Sequence, residues 1–294
     1  MSPADFRSAF WADLVRSQGT ADVVIFGRVL VFGILATLIC IAEIVTENTI
    51  AIDVTPYEIL GAALSLILVL RTNAGYDRWW EARKLWGGIT NQCRDLALTA
   101  LRYGPADEGW RDGLVRWTAA FGHAARCSLR SQRDCPELVS LLGAERAASL
   151  VAARHMPTYV SSMIAQTLAE AIAQGRMSGF AFQQADRQRA QLLDHLGGCE
   201  RIQKTPLPLA YAVKIRRFIF LFLISLPFAL IARVGWLTPL LTMLIAYPIL
   251  ALDEIGSELQ QPFLTTSLNH LPLDEICMTV ERDVLAQLES NPDA

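Results

Sequence analysis

Four histidines, six cysteines and adjacent acids such as Asp253-Glu254 and Asp274-Glu275 are the groups in this chain from which a metal site or an acid–base pair could be built. His123, His155, His195 and His270 lie far apart and belong to no His-Glu-x-x-His pair or Cys-x-x-Cys…His array, so metal catalysis is not indicated. Cys40, Cys93, Cys127, Cys135, Cys199 and Cys277 are irregularly spaced and read as reduced core thiols rather than ligands or a disulfide framework. Asp253-Glu254 and Asp274-Glu275 have acid–base chemistry, but helix ends and solvated faces account for them. No Gly-x-Ser-x-Gly elbow, Walker-type phosphate loop or Gly-x-Gly-x-x-Gly turn is present, and Gly87-Gly88 and Gly197-Gly198 come no nearer than glycine pairs in helix or loop context. The expectation is a protein that is not an enzyme and that takes no metal and no cofactor.

The elements that hold these residues are unusually apolar. With 52% hydrophobic residues and a mean hydropathy of +0.31, the chain has more apolar surface than a soluble domain of 294 residues buries. A net charge of −3 and a pI near 5.9 provide no basic face, which excludes nucleic acid as a partner.

Val23 to Val45 is apolar except for Arg28 and Glu43 near its ends and is about long enough to cross a hydrocarbon core of roughly 30 Å, with both charges able to snorkel. Ile59 to Leu70 is only a dozen residues long, and its flanks assign it to the membrane. Glu43, Glu47, Asp53 and Glu58 occupy the region between the two runs without Lys or Arg, whereas Arg71, Arg78, Arg83 and Lys84 follow the second. The positive-inside rule places the acidic loop outside and the basic stretch inside. Pro56 suits the first turn of the second helix. Phe218 to Leu252 is broken by Arg233, Gly235 and Pro239 into two short spans joined by a tight outer turn, with Pro227 expected to kink the first. Arg216 and Arg217 make their entry cytoplasmic. Four spans with both termini inside is the simplest topology, and a re-entrant loop over Phe218 to Ile231 is the alternative.

Between Arg71 and Arg217 the chain carries 21 of its 26 Lys and Arg residues, interleaved with apolar positions at helical spacing and punctuated by Pro136, Pro157, Pro206 and Pro208. The first twenty residues are polar and amphipathic and lack a secretory signal. The expected organisation is a cytosolic N-terminal helix over 1–22, a transmembrane pair over 23–70, a cytosolic helical domain over 71–217, a second transmembrane pair over 218–252 and a cytosolic segment over 253–294. The protein is therefore expected to be all-α, multi-pass and resident in the inner membrane of the cell.

The second apolar run continues directly into RTNAGYDRWWEARKLWGGI at Arg71 to Ile89. GGCERIQKTPLPLAY at Gly197 to Tyr211 precedes the third span, DEIGSELQQPF at Asp253 to Phe263 follows the fourth, and LPLDEICMTVERDV at Leu271 to Val284 closes the set. These four blocks, in this order, resemble the bestrophin family in its bacterial branch. The resemblance implies a homopentamer around a central pore in the lipid bilayer, with small inorganic ions as cargo and the second helix of each subunit lining a narrow hydrophobic neck.

By position, the resemblance places Ala62, Leu66 and Leu70 in the neck, and their spacing of four puts them on one helical face. Neck rings of the family are generally bulkier, so Ala62 and Leu70 imply a wider neck or altered gating. Lipid contact or packing is the plainer alternative for any apolar stripe in such a helix. A lower constriction, formed in the family by one apolar side chain after a Gly-Arg pair, corresponds to the stretch Gly175-Arg176-Met177-Ser178-Gly179-Phe180. Phe180 is the choice there, Met177 the alternative, and a core aromatic the ordinary role. Family signature positions are Arg71, Asn73, Arg78, Trp79, Glu81 and Arg83, with Pro206 and Pro208 before the third span. Arg78, Trp79, Glu81 and Arg83 are expected to form intersubunit ion pairs and an interfacial aromatic anchor, and Asn73 to line a vestibule. Animal members bind calcium through a dense acidic run after the fourth span. Here Asp253, Glu254 and Glu258 are followed by Leu259, Gln260 and Gln261, too few acids for an oxygen cage, so calcium gating is not expected.

Apolar rings impede ions because they offer nothing to replace a hydration shell, and selectivity must then come from the mouths, helix dipoles and pore width. Outer acids Asp53, Glu47 and Glu58, repeated in each subunit, would concentrate cations, while Arg71 just inside Leu70 pulls the other way. The reading favoured by the acids is a cation-permeable channel, with an anion channel of the same architecture as the alternative. From another class, the rival is a membrane-anchored helical scaffold or sensor that conducts nothing.

Overall fold

Apolar residues recur at intervals of three and four through most of the chain, and every regular element among the described residues is helical. The structure, a computed structural model, describes residues 20–46, 51–267 and 269–289. The expected N-terminal helix before Thr20 and the expected outer-mouth acid Glu47 lie outside the described residues. In chain order the helices are α1 (Thr20–Thr46), α2 (Thr55–Tyr103), α3 (Glu108–Leu129), α4 (Pro136–Leu142), α5 (Ala144–Ala152), α6 (Met156–Ala173), α7 (Gly179–Lys204), α8 (Leu209–Val234), α9 (Thr238–Glu258) and α10 (Leu273–Glu289). They form two compact units, residues up to 76 with 207–260, and residues 77–206 with 261 onward.

In the first unit, α1 packs on α9 and α8 around Ile25, Val29, Phe32, Leu64, Leu68, Ile219, Leu223 and Ala246. The remaining faces stay apolar although exposed, with Leu30, Ile34 and Leu38 on α1 and Leu240 and Leu244 on α9. A water-facing helix would carry charge there, whereas a helix facing hydrocarbon or another apolar partner keeps its backbone bonds internal and its surface greasy. Val23–Val45, Thr55–Tyr103 and Ala210–Glu258 each contain a window apolar enough to cross a membrane. Within the last, α8 ends where Gly235 takes a positive φ of 52°, and a short 3-10 turn at Gly235–Leu237 leads into α9 with Pro239 in its first turn. Pro227 lies inside a helix that runs on to Val234. The helices of this unit touch through glycine: a Cβ on Gly33 would lie 2.6 Å from the Met243 sulfur, and one on Gly75 would lie 3.0 Å from the Gly256 carbonyl oxygen.

The second unit is built around α3, which buries Leu114, Val115, Phe121, Ala124 and Leu129 against α10, α6 and α4. Asp107 caps α3 by accepting the Trp110 amide, and Ser178 caps α7 by accepting that of Ala181. All six cysteines are buried and none is in a disulfide.

The unit boundaries depart from those expected from hydropathy. The first unit retains Arg71 to Tyr76 and 253–260, because α2 and α9 continue to pack on each other past the end of their apolar stretches. Hydropathy marks where lipid contact ends, while a packing unit ends only where side-chain contacts do.

Candidate functional site

The α2 helix sets the register of the residues expected to form a neck. Its 49 residues begin with Thr55 and Pro56, and the apolar run ending at Leu70 is only its first part. Leu64 and Leu68 face inward and are fully buried, whereas Ala62, Leu66, Leu70 and Asn73 are exposed, with Leu66 showing 61% of its surface. At about 3.6 residues per turn, residues two apart lie on nearly opposite faces, so packing of Leu64 and Leu68 obliges Leu66 to face away from the protomer. The three expected neck residues and Asn73 therefore share one unpartnered stripe.

Immediately below the stripe the side-chain chemistry changes. Arg71 is 1% exposed and donates to Asp253 through Nη1 and to the Ser257 hydroxyl through Nη2 at 2.8 Å. Arg216 donates to the other Asp253 oxygen at 3.1 Å and to Ser257 at 2.9 Å. Arg28 pairs with Glu254 at 2.9 Å, and a cavity of about 360 Å³ opens between Arg28, Phe32, Arg216 and Phe220. One buried carboxylate thus holds two guanidinium groups, and the polar side chains gathered here come from four helices, α1, α2, α8 and α9.

This corrects two expectations. Asp253 is not on a solvated face: it is buried and paired, since an uncompensated charge could not remain there. Nor does Arg71 project toward the expected pore, because its charge is engaged by Asp253 within the same chain. Asp253 and Ser257 were not anticipated as partners of Arg71, nor Arg216 as a second cation on Asp253. Their signal was available, because Arg71 follows Leu70 and Asp253 follows Leu252, two opposite charges ending two apolar runs on the same expected side.

At the other end of the stripe, Asp53 is exposed and accepts from the Thr55 amide and hydroxyl, both at 3.0 Å. These bonds hold its carboxyl below the usual range. Glu58, in the first turn of α2, is exposed with Arg233 Nη1 3.8 Å from its carboxylate. The acidic loop is therefore partly offset by a cation from the end of α8.

Phe180 and Met177 separate clearly. Met177 is buried in the second unit's core, whereas Phe180, in the first turn of α7, is 87% exposed. Of the signature residues after Asn73, Arg78, Trp79 and Glu81 have partners within the chain. Arg78 donates to the carbonyls of Ile202 at 2.5 Å and Thr205 at 2.8 Å, closing the C-terminus of α7. Trp79 donates to the Asn269 carbonyl at 2.7 Å, and Glu81 accepts from Arg201 at 2.6 Å. Arg83 is exposed and borders a cavity of about 390 Å³ with Asn91 and Arg94. Pro206 and Pro208 occupy the link between α7 and α8, where a missing N–H prevents one helix from running into the next.

Among the described residues no group of three His, Cys, Asp or Glu side chains could hold a metal ion. What the arrangement offers is an apolar stripe on a long helix, with exposed acids at one end and a buried ion network at the other.

A family model described as Bacterial/Fungal Bestrophin protein matches residues 5–286. The voltage-dependent anion channel-forming protein YneE of Salmonella typhi is 35% identical over 266 residues, covering 89% of this chain and 86% of that protein. The voltage-dependent anion channel-forming protein mll4386 of Mesorhizobium japonicum is 37% identical over 245 residues, covering 82% and 77% respectively. The crystal structure of a bacterial bestrophin homologue from Klebsiella pneumoniae superposes with a TM-score of 0.84 at 30% identity, covering 91% of this chain and all of the other.

Proposed function

The chain belongs to the bacterial and fungal bestrophin family of membrane ion channels, and on that premise we propose that five copies surround a pore whose neck is formed by Ala62, Leu66 and Leu70. The observation that carries this reading is the exposed stripe on α2. It is apolar, it has no partner within the protomer, and it is held in register by Leu64 and Leu68 on the opposite face. Repeated around an axis, it makes three rings that offer a hydrated ion no replacement ligands, which is a hydrophobic gate. Phe180, exposed at the start of α7, is the proposed lower constriction. Four spans, with both termini in the cytoplasm and the protein in the inner membrane, complete the proposed topology. The helical domain over 71–217 and the C-terminal segment from 253 lie on the cytoplasmic side of it.

For the ion, the relatives, named as voltage-dependent anion channel-forming proteins, favour an anion such as chloride. This replaces the cation preference drawn from the outer acids as the leading reading, and the Glu58–Arg233 pair weakens the field on which that preference rested. Cation conduction remains a second reading, favoured by Asp53, which is exposed and held ionised.

Reconstitution of the purified protein in a planar bilayer under asymmetric KCl tests the proposal. Single-channel steps reversing near the chloride potential support the leading reading, and reversal near the potassium potential supports the second. Silence from both the wild type and Leu66→Ala, with insertion verified, would return the protein to the non-conducting scaffold class.

A further inference from the structure

At the end of α3 the sulfurs of Cys127 and Cys135 lie 2.7 Å apart. Cys127 is in the last turn of α3, and Cys135 is the residue that precedes Pro136 and starts α4. Both side chains are buried. Arg126 places Nη2 3.6 Å from each sulfur, and a Glu137 carboxylate oxygen lies 3.6 Å from Cys135. Two thiols held in contact beside a guanidinium are a different chemical object from a single buried core cysteine.

We propose that Cys127 and Cys135 are an oxidisable dithiol, converted by hydrogen peroxide into an intramolecular disulfide that ties the end of α3 to the start of α4. The hydrogen donated by Cys135 and the adjacent Arg126 charge bring Cys127 down to about 7 in spite of its burial, while the same sharing and burial push Cys135 up. One member is therefore a nucleophile near neutral pH and the other carries the proton. At Cys199 and Cys277 burial dominates and pushes each up to about 12. Access is short, because residues 131–134 between the two cysteines are exposed and Ser131 holds a positive φ of 56°, an uncommon backbone state for a residue with a side chain.

The step balances. The Cys127 thiolate attacks one peroxide oxygen, the O–O bond breaks, and the departing hydroxide takes a proton and leaves as water, giving Cys127 sulfenic acid. The Cys135 sulfur then attacks the Cys127 sulfur, and the sulfenic hydroxyl leaves with the Cys135 proton as a second water. Two thiols lose two electrons and one peroxide gains them. A thiol reductant reverses the change by exchange.

The test is peptide mapping of the full-length protein in detergent after brief hydrogen peroxide treatment, thiol blocking and tryptic digestion. Cleavage at Arg126, Arg130, Arg133 and Arg146 separates Cys127 on residues 127–130 from Cys135 on residues 134–146. The expected product is those two peptides joined, two hydrogens lighter than their sum, with both thiols lost from alkylation together and recovered on reduction. In Cys135→Ser, Cys127 should stop at the sulfenic acid and be tagged by dimedone. Should both thiols remain fully alkylated after peroxide, or Cys127 join a cysteine other than Cys135, the assignment is overturned. The wild-type map decides even where the serine variant fails to fold.

Discussion

Arg71 of α2 and Asp253 of α9, 182 positions apart, meet in a charged hydrogen bond with both side chains withdrawn from solvent, at 1% and 5% exposure. Removing Asp253 leaves Arg71 buried and uncompensated, which costs about 3–5 kcal/mol, whereas an apolar replacement of both is far milder. Asp253→Ala should sharply lower the temperature at which the detergent-solubilised protein loses its monodisperse peak. Arg71→Met combined with Asp253→Leu should recover most of that loss.

Leu64 and Leu66 should behave oppositely although only two positions separate them. Leu64→Ala empties packed volume and should destabilise by about 2–5 kcal/mol without making the bilayer leak. Leu66→Ala should leave thermal stability nearly unchanged and raise current, by about tenfold for each roughly 1.4 kcal/mol taken from the barrier. A melting curve and a bilayer recording on both variants check this. Equal destabilisation would make the Leu66 stripe a packing surface.

At the proposed lower constriction the same contrast applies. Met177→Ala should cost about 2–5 kcal/mol as a core truncation. Phe180→Ala removes a side chain that is exposed in the protomer, so it should alter relative ion permeability in bi-ionic recordings while melting as the wild type does.

His123 should make stability depend on pH. It is fully buried on α3, with Nε2 2.7 Å from the Glu281 carboxylate, and burial pushes its pKa below the ordinary 6.5 despite that carboxylate. The unfolded chain then binds the proton more readily than the folded one, so this contribution is present above about pH 6.5 and declines as pH falls through that value. Melting temperatures between about pH 5.5 and pH 7.5 should rise with pH. His123→Gln keeps a donor for Glu281 without titrating and should flatten the rise.

Much of the fold was legible because lipid imposes a simple demand on composition. The apolar stretch from Val23 to Val45, the break at Gly235 and the placement of Pro56 and Pro239 each follow from local chemistry, and each has its helix or turn in the structure. Helical spacing between Arg71 and Arg217 likewise foretold an α-rich unit. Hydropathy saw a dozen residues of α2 and not its 49, since a helix that leaves an apolar medium keeps its backbone geometry while its surface turns charged.

Side-chain partnership lay beyond that reach. Spacing alone made Ala62, Leu66 and Leu70 one stripe, but which stripe faces outward depended on where α8 and α9 place their own side chains against Leu64 and Leu68. A run of charges looks solvated in sequence whether or not a distant opposite charge awaits it, so Asp253 read as a surface acid until Arg71 and Arg216 closed on it, and nothing near Arg78 in sequence announced the α7 carbonyls it caps. Local composition determines which segments leave water, because transfer free energy is nearly additive along the chain. Tertiary structure alone decides which charges go with them, because that depends on pairings between residues the chain holds far apart.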